Sequence, residues 1–158
     1  MYKFRYVLFF CMLFSCIYGQ RSIVFTPPLG WMLLDSKLLS PRIKVMIVGR
    51  GKNNFYPPSI NLGYEDYSGS LRDYLKEVKE VNQKTGAIWT DLGTIQTLAG
   101  LASLSQVDLE TEWGEVRMMH VIFIEDKILY VLTAASLKDE FSSFFPTMLP
   151  AMQSLRFQ

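Results

Sequence analysis

Residues 115–135 read EVRMMHVIFIEDKILYVLTAA, and no other stretch narrows the fold as much. Glu115 to Ile124 is a long apolar run rich in β-branched side chains. Ile128 to Ala135 is a second. Only Glu125, Asp126 and Lys127 separate them. Two such runs around a tight polar turn predict a β-hairpin.

The rest of the chain is read outward from that hairpin. A β region extends back to Ala87. AIWTDLG, from Ala87, is a first strand, and residues 94–113 hold one long strand or two, with Gly100 as the bend. Nearer the N-terminus, Ile23 to Phe25 is a short β-like run. Pro27, Pro28 and Gly30 then force a turn ahead of Trp31. Ile43 to Gly49 reads as a buried strand. Ser59 to Glu65 is another, starting only after Pro57 and Pro58, which cannot donate to a central ladder.

Two segments change period. In residues 70–82, Leu71, Tyr74, Leu75, Val78 and Val81 recur at helical spacing, and Ser70 with Asp73 forms a capping-box pattern. At the C-terminus Phe141, Phe144, Phe145, Met148, Leu149, Met152 and Leu155 fall on one helical face, behind a second box at Ser136 and Asp139. Pro146 and Pro150 interrupt it, which predicts a kinked helix or two short ones. Strands in antiparallel runs with two amphipathic helices predict an α+β fold: an antiparallel sheet of about six or seven strands with helices packed on its faces.

The first residues are an address. Lys3 and Arg5 precede the apolar run YVLFFCMLF, residues 6–14, which is too short to span a bilayer. Small residues follow at Ser15 and Gly19, the order of a secretory signal. One cut falls after Gly19. The other uses Leu13-Phe14-Ser15-Cys16, which resembles a bacterial lipobox, although Phe14 is unusual there. That cut makes the signal 1–15 and leaves Cys16 to carry an acyl lipid such as palmitate. Both cysteines, Cys11 and Cys16, lie in this region, so the body can form neither a disulfide nor a cysteine-based zinc site. A cysteine-free body favours Cys16 as a lipid anchor. The expected products are an exported, membrane-anchored protein or, with the other cut, a soluble secreted one. Residues 22–158 are expected to form a single domain. Past the signal the chain is near neutral, without the basic footprint of a nucleic-acid binder.

PPSINL at 57–62, the Trp113-Gly114 pair, YVLTAAS at 130–136 and SLRF at 154–157 together resemble the superfamily of PsbP, DcrB and the LpqN lipoproteins. The resemblance runs over about residues 22–158 and rests on core and turn signatures. It implies an antiparallel sheet with helices on its faces. It also implies an extracytoplasmic protein, often lipid-anchored, that acts by binding or assembly with another envelope component and not by catalysis. It carries no catalytic set and no cofactor.

The residues agree. His120 is the one histidine, and alternation places it among Val116, Met118, Ile122 and Ile124, as a core or half-buried side chain. No Gly-x-Ser-x-Gly elbow is present. Asp108, Glu110 and Glu112 share a strand face, but neighbours two apart lie about 7 Å from one another, wide for one cation. A solvated sheet face suits them better. Gly49-Arg50-Gly51-Lys52 lacks the spacing of a phosphate loop. Two binding surfaces remain. Trp31 or the Phe55–Tyr56 pair, beside paired prolines, suits a partner contact. Phe141, Phe145, Met148 and Met152 suit an apolar-ligand pocket between the sheet and the last helix, since methionine adapts to varied shapes.

Overall fold

Seven strands form one antiparallel sheet, and a two-stranded ribbon joins the first and last strands of the described residues. The computed structural model describes residues 22–52 and 55–158. The signal, with Cys16 and both cleavage positions, lies outside the described residues. In chain order the elements are β1 (Ile23–Val24), β2 (Met32–Leu33), a 3-10 turn (Ser36–Leu38), β3 (Ile43–Val48), β4 (Ser59–Asp66) and α1 (Leu71–Lys84). There follow β5 (Ile88–Thr97), β6 (Gly100–Thr111), β7 (Gly114–Glu125), β8 (Ile128–Leu137), α2 (Lys138–Gln153) and β9 (Arg156–Phe157). The sheet order is β2-β3-β4-β8-β7-β6-β5, while β1 pairs with β9.

The hairpin of residues 115–135 is β7 and β8, in register from Glu125↔Ile128 to Val116↔Leu137. Its turn is tighter than three residues. Asp126 and Lys127 alone make it, both at positive φ (51° and 62°), the two-residue geometry that follows strand twist. The ambiguous residues 94–113 resolve as a second hairpin. β5 ends at Thr97, Gly100 opens β6 at φ 125°, and β5 is bulged between Asp91 and Thr94. Gly93, at φ 86°, sits in that bulge, its N–H held 2.8 Å from Asp91 Oδ1.

Strand register sorts the side chains onto two faces. Ile47, Ile60, Leu132, Leu62 and Val121 point to one face and meet Phe141, Met148, Met152 and Leu155 around α2. This is the core. Of the two forms expected, two short helices are not found: the helix is continuous from Lys138 to Gln153 with both prolines inside. Fully buried Met148 and Met152 hold its face on the sheet, each such burial being worth about 1.5–3 kcal/mol against the lost backbone bonds. Nor does its N-terminal box form. Ser136 still belongs to β8, its hydroxyl donates to the Leu137 carbonyl, and Leu137 takes the N-cap without a side-chain bond.

α1 starts as its sequence says. Ser70 Oγ accepts from Asp73 N–H while the Asp73 carboxylate accepts from Ser70 N–H. It crosses the second face: Tyr74 lines a cleft with β3, β4 and β8, and Lys79 lies over the Trp89 ring of β5. None of its residues is fully buried, and Val81 at the end of its apolar stripe is exposed.

Candidate functional site

One end of the molecule gathers aromatic and charged side chains from four segments. β3 ends at Val48 because its partner β4 can pair only from Ser59, after Pro57 and Pro58. The intervening loop is tied down by Lys52, whose N–H lies 3.3 and 3.4 Å from the two carboxylate oxygens of buried Glu140 on α2. Tyr56 then meets Trp113 at the tip of the β6–β7 hairpin, ring centroids 5.8 Å apart. Thr111 Oγ1 fixes that tip by donating to the Gly114 carbonyl and accepting from Trp113 N–H. Phe55 is 78% and Trp113 48% exposed, so this end presents apolar rings to solvent. Burial raises the Tyr56 hydroxyl above its ordinary pKa and keeps it neutral.

Beside these rings, Trp113, Gly114, Glu115, Leu137, Lys138 and Asp139 line an open cleft of about 460 Å³. Two of its lining residues, Glu115 and Lys138, belong to an ion-pair network. Arg117 Nε and Nη2 donate to Asp108 at 2.8 and 2.7 Å, Lys138 Nζ stands 3.2 Å from Asp108, and Lys138 also pairs with Glu115. The Arg117 guanidinium holds the Asp108 carboxyl below the usual range. Asp108 is therefore not on a solvated face, as the alternation with Glu110 and Glu112 suggested. It is buried, and two cations neutralise it. Among the described residues no cluster of His, Cys, Asp and Glu could hold a metal ion.

Trp31 is not part of this end. It is half-buried, edge-on to Phe144, with its ring so close to Gly49 that a Cβ there would lie 2.7 Å from it. The side chains expected to line a pocket under α2 pack in the core. Phe141, Met148 and Met152 are buried in the core and Phe145 stacks on Phe141 at 6.0 Å. The helix that was to wall a pocket instead closes the core.

On the α1 face, strand register builds a polar row that single-strand reading missed. Asp91, Ser105, His120, Thr133 and Asn61 are successive cross-strand partners from β5 to β4. His120 Nδ1 lies 2.9 Å from Thr133 Oγ1. Burial lowers the imidazole from 6.5 to about 4, so it is neutral at pH 7. Ser105 Oγ and Trp89 Nε1 are buried without a hydrogen-bond partner among the described residues. The row places hydroxyls, not a carboxylate, on both sides of His120, with Asp91 beyond the serine. A hydrolytic triad needs the acid on the histidine. The signal for the row was the run of small polar residues at alternate β6 positions, Ser103 and Ser105, but only the register shows what they face.

No family model matches the sequence, and no curated protein matches it significantly. Solved structures do. The crystal structure of LpqN, involved in cell envelope biogenesis of Mycobacterium tuberculosis, aligns with a TM-score of 0.64 at 17% identity. The match covers 91% of this chain and 87% of that one. The solution structure of cyanobacterial PsbP (CyanoP) from Synechocystis sp. PCC 6803 aligns at 0.58 and 11% identity, covering 86% of each. This chain has the LpqN and PsbP fold. The resemblance read from the sequence is thereby upheld at the level of the fold: a seven-stranded antiparallel sheet with two helices, of the LpqN and PsbP type. Among the described residues no helix is long and apolar enough to cross a membrane.

Proposed function

We propose that this chain is a non-enzymatic, extracytoplasmic envelope protein, lipid-anchored at Cys16, that binds or helps assemble another envelope component. The observation that carries the reading is the aromatic end, where Tyr56 and Trp113 pack together and Phe55 projects. Tyrosine and tryptophan dominate binding hot spots because large rings bury much area at little entropic cost. The hydroxyl-flanked His120 supports a binding role over a hydrolytic one. The fold shared with a protein of envelope biogenesis supports the setting, and the signal with its lipobox supports the anchor.

The test has two arms. Radiolabelled palmitate is expected in the wild type and absent from Cys16→Ser; no label in either removes the anchor. A photo-crosslinking residue at Phe55 in intact cells is expected to capture a discrete envelope protein. Trp113→Ala is expected to cut that yield about tenfold, the usual loss for an anchor ring. Undiminished capture in Trp113→Ala would overturn the aromatic end as the contact.

A further inference from the structure

Charge is segregated along this near-neutral chain. Residues 22–52 carry five basic side chains, Lys37, Arg42, Lys44, Arg50 and Lys52, against one acid, Asp35. Residues 55–158 carry eight basic residues against fourteen acids. The basic segment is the one that builds the β2–β3 edge of the sheet and its flanking turns.

That edge is also apolar. Leu29 is fully exposed in the turn that closes with Trp31 N–H on the Pro28 carbonyl. Met32 and Leu33 form the edge strand itself and point to opposite faces, both into solvent, and Leu38 projects from the 3-10 turn after it. An apolar cleft of about 220 Å³ opens beside them, lined by Ile23, Phe25, Trp31, Leu33, Val45 and Leu62. An exposed edge strand is ordinarily blunted by charge or cover. Here four large apolar side chains lie within ten residues, and the neighbouring charges are Lys37, Arg42 and Lys44 against Asp35, with Glu65 of β4 sharing a cleft with Arg42.

The first described residues run close to this edge, with Ile23 and Phe25 lining the apolar cleft together with Leu33 and Val45. Ser22, its carbonyl held by Gln158 N–H, lines a second cleft with Lys44 and Val45 of β3.

We infer that the β2–β3 edge is a membrane-docking surface for an anionic phospholipid bilayer, with Leu29, Met32, Leu33 and Leu38 seated at headgroup depth and Lys37, Arg42 and Lys44 on the phosphates. Apolar insertion flanked by basic residues is how peripheral proteins sit on anionic lipid. It deepens the envelope reading and rests on it. Docked in this way, the edge holds the domain in one orientation on the bilayer.

The test uses the chain from Gln20, which carries neither signal nor lipid and contains every core residue. It is sedimented with vesicles of equal phosphatidylglycerol and phosphatidylcholine, and with phosphatidylcholine alone. Binding is expected only to the anionic vesicles and is expected to be lost at high salt. Leu29→Ser with Leu33→Ser and Leu38→Ser, and separately Lys37→Glu with Lys44→Glu, are each expected to weaken it at least about tenfold. Leu98→Ser with Leu101→Ser, at the exposed β5–β6 turn, is expected to leave it unchanged. Equal binding to both vesicles, undiminished binding by Lys37→Glu with Lys44→Glu, or equally tight binding of soluble polyaspartate would overturn the inference. Vesicle binding without palmitate on Cys16 in cells would remove the anchor and leave this surface standing; label without vesicle binding would do the reverse.

Discussion

Gly63 shows how little room some positions leave. It sits on β4 opposite the irregular start of β3, and a Cβ built there would lie 2.6 Å from the Arg42 carbonyl oxygen. The obstacle is backbone, which cannot swing aside as a side chain does. Gly63→Ala is therefore expected to destabilise by about 2–3 kcal/mol through overpacking, read as a lowered urea midpoint with an unchanged slope. Nothing around Gly63 in the sequence announced this. The residue looked like an ordinary strand glycine, and the clash exists only because β3 and β4 pair in this register. Trp31 follows the same logic: its proline turn was legible, but its use against Gly49 and Phe144 was not.

At the scale of elements the two helices differ in how they are held. α2 buries Phe141, Met148, Ala151 and Met152 in the core and survives two interior prolines. α1 has no fully buried residue and depends more on its own capping box. Its amides are expected to exchange at least about tenfold faster than those of α2, because weakly buried elements open locally. Ser70→Ala is expected to cost about 1 kcal/mol, and hydrogen exchange is expected to place that loss in the first turn of α1. Equal protection of the two helices would show that α1 is held by more than its cap and a half-buried stripe. Both helices were legible from their period. Their ranking was not, since Val81 and Met148 look alike as members of an apolar stripe yet one is exposed and the other fully buried.

For the whole molecule, pH acts through His120. Its folded pKa of about 4 lies below the unfolded 6.5, so between these values the unfolded chain binds a proton that the folded one does not. Stability is thus complete above about pH 6.5 and falls as pH drops towards 4, by roughly 2–3 kcal/mol for a partly water-accessible ring. Chemical denaturation at a series of pH values is expected to show this slope, and His120→Leu is expected to flatten it. A slope that persists in the variant would assign it to another group. Below that window Asp108, held low by Arg117, brings a further loss as it protonates.

Period, turn chemistry and composition decided most of the longer strands, both helices, the β7–β8 hairpin and the α+β class, because these are local properties of the chain, whereas the two-residue β2 and β9 exist only through their pairing. Tertiary structure decided everything that depends on which strands are neighbours. It set Asp108 between Arg117 and Lys138, Ser105 and Thr133 on either side of His120, and Tyr56 against Trp113. It packed Phe141, Met148 and Met152 of α2 into the core. Charge shows the division most plainly. Its segregation between residues 22–52 and the rest is written in the sequence. That the basic part becomes an exposed sheet edge follows only from strand order, since long-range pairing, not local preference, determines which strand is left without a neighbour.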